Sequence, residues 1–402
     1  MSSTLHQAIK MKQKLQDTRR QLHQYPELSF QEYKTTKYIQ HYLEQIDGME
    51  VVTGTENIGL PTGVVGTISS GSGPNIAIRS DIDALPIYEE NEHEYVSKNK
   101  GIMHACGHDA HTTIALGVAS LLSEKMNAGE IKGTVKFIFQ PAEEDMDEEG
   151  LTGSPYLINA GVLEGVDAIL ALHVNPEQPV GEIQLNEGYS MASIDTFDAC
   201  IKGSGGHAAY PHLSTDPISM LPSVLENIQG IISRRTSPLE PAVISVTSIE
   251  TVPSYNVIPS EVKLQGTIRS YNPERRNMLK KELQNTLELV KTLGGEYELT
   301  IHDGEPALNN HPTITKWFEQ TTKDLLPDFH IHHGPFGLGG EDFSHMTEIV
   351  PGAVFFLGAK VDNQKDRGLH MPKFDINEDA LPYGVTLLSE TAIRYIKGLY
   401  TL

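Results

Sequence analysis

Ile76-Ala77-Ile78-Arg79-Ser80-Asp81-Ile82-Asp83 is a short apolar run that ends in charged residues. Two later stretches follow the same plan. Residues 135–139 are mostly apolar and lead into Gln140-Pro141-Ala142-Glu143-Glu144, and residues 168–172 lead into His173. Runs this short, bounded by turn residues, read as buried strands. Helical stretches such as 112–122 separate them. That alternation predicts an α/β domain with a mostly parallel central sheet covered on both faces. Ligand sites in open α/β sheets gather beyond the carboxyl ends of the strands. An acid or imidazole there is a candidate site residue, and three such endings in one domain reinforce one another.

Outward from this region the pattern changes. Residues 196–202 read as a strand, 217–233 as a helix, 242–250 and 262–270 as strands, 273–292 as a helix and 297–302 as a strand. The order β-α-β-β-α-β is ferredoxin-like. Asn256, bracketed by Pro253 and Pro259, falls in the turn between the two central strands. After residue 303 the α/β alternation resumes, with a strand at 354–357 and a final helix from Asn377 to about Lys397. The expected architecture is therefore a catalytic α/β domain, residues 1–188 and 303–402, interrupted by a ferredoxin-like α+β domain at 189–302. Near the N-terminus, Ser29-Phe30-Gln31-Glu32 has the spacing of a helix capping box.

A chain of 402 residues is long for one hydrophobic core and predicts two domains. Its 39% apolar and 21% charged residues are those of a globular protein. A formal net charge of -22 repels nucleic acid and anionic membranes, which excludes both as main partners. No apolar run approaches the roughly 18 residues needed to span a bilayer, and the first residues lack a secretory apolar stretch. Two cysteines, Cys106 and Cys200, make a disulfide framework implausible. The expectation is a cytoplasmic protein.

The segment with the densest chemistry is His104-Ala105-Cys106-Gly107-His108-Asp109-Ala110-His111. A thiolate and an imidazole two residues apart reach one metal centre where the backbone is irregular, and Gly107 permits that. Asp109 is expected to receive the second imidazole N–H and fix the tautomer. His104 and His111 are read as positioning the loop. Adjacent acids are usually solvated, but Glu143 and Glu144 directly follow an apolar strand and a Pro-Ala turn. A metallohydrolase needs one carboxylate on the metal and another that takes a proton from water. His330, His332 and His333 are read as an exposed strand. No Gly-x-Ser-x-Gly elbow is present, which argues against a serine hydrolase.

With these residues assembled, the chain resembles the aminoacylase and amidohydrolase branch of the dinuclear metallopeptidases. That branch includes auxin-conjugate hydrolases, hippurate hydrolases and N-acetyl-diaminopimelate deacetylases. The resemblance spans essentially the whole chain. It rests on Arg20-Gln21-Leu22-His23 with Pro26-Glu27-Leu28, Asp81 to Pro86, Cys106-Gly107-His108-Asp109 and Gln140 to Glu144. Further markers are Leu172-His173-Val174, Gly205 to Pro211, Asn256-Val257-Ile258-Pro259, Gly339 to Phe343 and Leu369-His370. It implies five metal ligands, Cys106, His108, Glu144, His173 and His370, with Glu143 as general base. In the wider superfamily a His-x-Asp stands where this chain has Asp81-Ile82-Asp83. The missing imidazole is replaced by Cys106, and Asp81 and Asp83 are expected to support the ligands. His207 matches a residue that reaches a partner subunit's site and steadies the oxyanion. Asn256 and Arg269 match positions linked to substrate binding or the dimer face.

The implied protein is a homodimer through its inserted domain. Two divalent ions per subunit, manganese or zinc foremost with cobalt or nickel admissible, serve to cleave the amide bond of N-acyl amino acids or related small amides. Two other readings use the same residues. One is a dipeptidase or carboxypeptidase. The other is a non-catalytic, metal-assembled binder of peptides or amino acids, which would have no need of Glu143. A cysteine nucleophile at Cys106 would leave Glu144, His173 and His370 without a role.

Overall fold

The computed structural model describes residues 3–362 and 367–402. Two compact units emerge. Unit 1 comprises Met1–Gly188, Asn309–Phe336 and Asp342–Leu402, and unit 2 comprises Tyr189–Leu308 and Gly337–Glu341. The strands of three or more residues are, in chain order, β1 (Glu50–Val52), β2 (Val64–Ser69), β3 (Asn75–Asp81), β4 (Thr134–Gln140), β5 (Ala168–Asn175), β6 (Glu182–Leu185), β7 (Ser193–Lys202), β8 (Ala242–Glu250), β9 (Glu261–Ser270), β10 (Glu296–Asp303), β11 (His330–His333) and β12 (Gly352–Gly358).

Unit 1 is a mixed α/β unit on an eight-stranded sheet of order β1-β2-β4-β3-β5-β12-β6-β11. The middle four strands, β4-β3-β5-β12, are all parallel. Antiparallel pairings lie outside them, at β1–β2, β2–β4 and β12–β6. Every residue of β12 and all but the last of β5 are buried. Helices cover both faces of such strands, so apolar side chains run continuously rather than alternating. The helix His108–Asn127 connects β3 to β4 and is itself buried on most of its surface. It packs against Leu381–Ile396, Lys12–Gln24 and β3.

Unit 2 has the order strand, helix, strand, strand, helix, strand, and its four-stranded sheet β8-β9-β7-β10 is antiparallel throughout. One face is packed and the other exposed, so burial alternates along the strands. Phe197, Ala199 and Ile201 of β7 turn inward. They meet Met220, Val224 and Ile228 of Pro217–Gly230 and Leu279, Leu283 and Leu287 of Pro273–Leu287. The four-residue spacing places each set on one helix stripe. Both helices start from an Asx side chain followed by proline. Asp216 accepts from Ile218 N, and Asn272 accepts from Arg275 N.

Several expectations need correction. Residues 303–308 pack with unit 2, so unit 1 resumes at Asn309 rather than at 303. Ile194 N donates to Glu305 O at 2.9 Å, and Ser190 N to Leu308 O at 2.8 Å, which ties this segment to the chain entering β7. Gly337–Glu341 joins unit 2 in the same way, through Ala192 N to Gly339 O at 2.9 Å. The helix expected to reach 233 ends at Gly230 and loosens into a wider turn, Ile231–Arg235. The capping box does not form. Ser29 Oγ donates to Asp83 Oδ2 at 2.7 Å, and Glu32 Oε1 accepts from Ala142 N at 2.8 Å. The N-terminus of the helix Tyr33–Glu44 is instead capped by Glu27, whose Oε2 accepts from Lys34 N at 2.8 Å and Thr35 N at 2.9 Å.

Candidate metal centre

Strands β3, β4 and β5 bring their polar residues to the same end of the sheet. β3 ends at Asp81, with Asp83 two residues beyond, and β4 ends at Gln140, with Glu143 and Glu144 just after it. His173 lies within β5, stacked on Phe356 of β12 with ring centroids 4.9 Å apart. Cys106 and His108 flank Gly107 at the start of the helix His108–Asn127. Gly107 has φ +96°, and a Cβ there would sit 2.3 Å from Val174 Cγ2. Only glycine meets both the left-handed backbone and the close approach of β5.

Donor atoms from five residues converge at this point. Cys106 Sγ lies 3.5 Å from His173 Nε2 and 3.3 Å from His370 Nε2. Glu144 Oε1 lies 3.5 Å from His370 Nε2 and 3.6 Å from His108 Nε2. Ligands held 2.0–2.3 Å from a tetrahedral ion stand about 3.3–3.7 Å from one another, so these are ligand-to-ligand spacings. The donors fall into overlapping triads: Cys106, His108 and His173; Cys106, Glu144 and His370; His108, Glu143 and Glu144. His108 Nε2 and Glu144 Oε1 are buried without a hydrogen-bond partner. Buried polar atoms rarely stay unpaired, and a cation would occupy both lone pairs. The residues present therefore fit a divalent metal centre. Two of the three non-glycine residues with positive φ among the described residues, Ala142 at +52° and His370 at +60°, sit next to or in this cluster. Such backbone costs on the order of 1–3 kcal/mol and persists where its surroundings hold it. For His370 the hold includes its own N–H, which donates to Ala105 O at 2.8 Å.

Behind the donors stands a layer of carboxylates. Asp83 receives His108 Nδ1 at 3.2 Å, Ser29 Oγ at 2.7 Å and Glu144 N at 2.9 Å, so one side chain fixes two donors. Asp81 receives His111 Nδ1 at 2.7 Å and Arg79 at 2.9 Å. The other ring nitrogen of His111 accepts from Val174 N at 2.9 Å, bracing the strand that carries His173. Asp109 does not orient His108, contrary to expectation. Its Oδ2 lies 2.8 Å from Arg19 Nε and 2.8 Å from His23 Nδ1, facing away along the helix Lys12–Gln24. Chain direction explains the exchange: Asp109 is the second residue of a helix, and the helix turns it away from its neighbour's ring.

The electrostatics follow from burial and crowding. Burial opposes charge on His108, but Asp81, Asp83 and Glu144 outweigh it and push its pKa up to about 10. Burial pushes the Cys106 thiol up, and Glu144, Glu143 and Asp81 add to the effect. Burial, with His111 beside it, holds His173 well below the usual imidazole range. Its Nδ1–H donates to Val174 O at 2.8 Å, which leaves Nε2 as a lone pair near Cys106. A site of this kind holds protons until a cation displaces them.

Glu143 is the more exposed of the adjacent acids, at 12% against 9% for Glu144, and lies 3.9 Å from His108 Nε2. His207, Asn256 and Arg269 belong to unit 2. His207 is exposed on a two-residue strand paired with Val257 and Ile258. Asn256 holds the adjoining turn, its backbone carbonyl accepting from Ala208 N at 3.1 Å. Arg269 is half-buried and donates to Leu338 O at 3.2 Å. His330 and His333 are exposed on β11, as the sequence suggested. The bracing part played by Ser29 was not anticipated. The sequence reading gave His111 a positioning role and Asp81 a supporting one, but did not pair the two.

The family model described as peptidase family M20/M25/M40 matches residues 77–394. The chain belongs to peptidase family M20/M25/M40. This chain is a metal-dependent amidohydrolase, a hydrolase acting on amide bonds. It is 38% identical to an N-acetylcysteine deacetylase of Bacillus subtilis, covering 96% of this chain and 98% of that protein. It is equally 38% identical to thermostable carboxypeptidase 1 of Saccharolobus solfataricus, covering 94% of each. Among solved M20 structures, a dinuclear metal-binding peptidase from Bacillus subtilis superposes with a TM-score of 0.82 at 34% identity, covering 96% of this chain and 99% of that one. No helix of the described residues is long and apolar enough to cross a membrane.

Proposed function

We propose that this enzyme hydrolyses the amide bond of small N-acyl amino acids, using two divalent cations held by Cys106, His108, Glu144, His173 and His370. The convergence of those five donors, with His108 Nε2 and Glu144 Oε1 left unpaired, carries the reading. Mixed sulfur, nitrogen and oxygen ligation suits manganese or zinc, with cobalt or nickel admissible. When bound, the ions supply a water whose pKa falls towards about 7 and polarise the amide carbonyl. Glu143 takes the proton of that water and passes it to the departing amine nitrogen. Asp83 and Asp81 hold the donors in place.

N-acetylcysteine deacetylase and carboxypeptidase, named for relatives of equal identity, both cut an amide whose nitrogen belongs to an amino acid. That shared frame, an acyl group on the nitrogen of an α-amino acid, is the substrate class assigned here. The strand and helix order of unit 2 supports its reading as a ferredoxin-like insertion, and its service in dimerisation rests on the resemblance alone. His207 Nδ1 accepts from Ala209 N at 3.1 Å, so the ring proton sits on Nε2, available for donation to an oxyanion in a partner subunit's site. Asn256 and Arg269 are assigned to substrate carboxylate binding or the dimer face. Two unpaired cysteines suit a reducing, cytoplasmic setting.

The test is Glu143→Gln, which keeps the shape and removes the proton acceptor. Amine release from a panel of N-acetyl amino acids and dipeptides, with manganese or zinc supplied, falls by about 10²–10⁴, while metal content is unchanged. Full turnover in the variant removes Glu143 from its role. Absence of turnover by the unaltered enzyme across the panel removes the substrate class.

A further inference from the structure

A second set of ligating side chains lies in unit 1, apart from the donors above. His23, on the helix Lys12–Gln24, is fully buried. Its Nδ1 is 2.8 Å from Asp109 Oδ2, and Arg19 Nε lies 2.8 Å from the same oxygen. Arg19 keeps Asp109 ionised and accepting, so Nδ1 carries a proton and Nε2 turns to Glu89 Oε1, 3.2 Å away. His93 Nε2 lies 3.5 Å from that same oxygen. The three ligand atoms all lie within 4.8 Å of one another. His93 is stacked on Tyr95 with centroids 3.7 Å apart, which fixes its ring plane, yet both ring nitrogens are buried without a hydrogen-bond partner.

We propose that His23, Glu89 and His93 form a further divalent-cation site, suited to zinc, that fastens the irregular segment carrying Glu89 and His93 to the helix carrying His23. Two imidazoles and a carboxylate are a ligand set zinc accepts with a fourth position left for water. An aspartate behind a ligating histidine fixes the tautomer and strengthens the donor, which is the place Asp109 occupies. A plain hydrogen-bond network accounts for part of the cluster. Glu89 also accepts from Ser97 N at 2.6 Å and Asn91 Nδ2 at 3.0 Å, and a protonated His23 would bridge two carboxylates. That network gives His93 nothing to do. An ion accounts for the buried, unpaired Nε2 of His93, the ring nitrogen that faces the Glu89 carboxylate.

The test uses the full chain, stripped with a chelator and titrated with Zn²⁺ against a chromophoric competitor. His93→Phe preserves the ring stacked on Tyr95 and removes both nitrogens. The expected result is one zinc equivalent fewer in His93→Phe than in the unaltered protein. Cys106→Ser, by contrast, loses zinc from the other centre and retains this equivalent. Zinc-edge anomalous diffraction from crystals of the unaltered protein gives a reading independent of any variant. A peak about 2.0–2.2 Å from His23 Nε2, a Glu89 oxygen and a His93 nitrogen supports the site. Equal zinc uptake by the unaltered protein and His93→Phe overturns it, as does an anomalous map empty at this position.

Discussion

Gly107 meets two demands at once: a left-handed turn between two donors and contact with Val174 on the neighbouring strand. In Gly107→Ala the new methyl would be 2.3 Å from Val174 Cγ2. The expected cost is about 1–3 kcal/mol in denaturant unfolding from overpacking, together with weakened metal uptake as Cys106 and His108 are pushed apart. Gly101 has φ +83° with open space around its missing Cβ, so Gly101→Ala carries backbone strain alone and leaves metal uptake unchanged. Equal effects in the two variants would mean that the contact with β5 is unimportant. At this scale the sequence was legible where geometry is local. A glycine between a thiol and an imidazole announces an irregular turn. The partner of His108 was not legible, because Asp83 reaches it from another strand end while the adjacent Asp109 is carried off by the helix.

The helix Tyr33–Glu44 shows how an element's ends can be set from outside it. Its apolar positions are readable, but its cap is Glu27, on the far side of the turn through Leu28–Gln31. Ser29 and Glu32, which have the capping-box spacing, are drawn instead to Asp83 and Ala142 N. The two acceptors therefore separate stability from site geometry. Glu27→Ala should cost about 0.5–2 kcal/mol of unfolding free energy and leave metal affinity alone. Ser29→Ala removes one of the groups holding Asp83, the partner of His108, and should weaken metal affinity, by less than the roughly 10–100-fold expected for loss of the Asp83 carboxylate itself. Isothermal titration with Mn²⁺ or Zn²⁺ alongside urea unfolding distinguishes them. A reversal of the two effects would return Ser29 to the capping role.

For the whole molecule, the division of labour between units turns on His207. If His207 serves a partner's site, Glu143→Ala and His207→Ala are each inactive alone. Mixing them then restores part of the activity, because a mixed dimer contains one site with both groups intact. Activity that stays absent after subunit exchange is verified by labelled chains counts against sharing. The domain edges were less legible than the domains. The periodicity of a small antiparallel unit is visible from residue 196 onward. The placement of 303–308 and Gly337–Glu341 depends on backbone hydrogen bonds to the chain entering β7, and backbone groups leave no trace in side-chain identity.

The sequence alone determined the classes of residue at the strand ends, the order of elements in the smaller unit and the chemistry available to a metal. These follow from hydrophobic periodicity and from the few side chains able to ligate. Tertiary structure alone decided which carboxylate stands behind which imidazole, how Ser29, Glu32 and Asp109 are used, and where His23, Glu89 and His93 meet. Such pairings form between residues far apart in the chain. They are selected by the packing of whole elements, which no local spacing encodes.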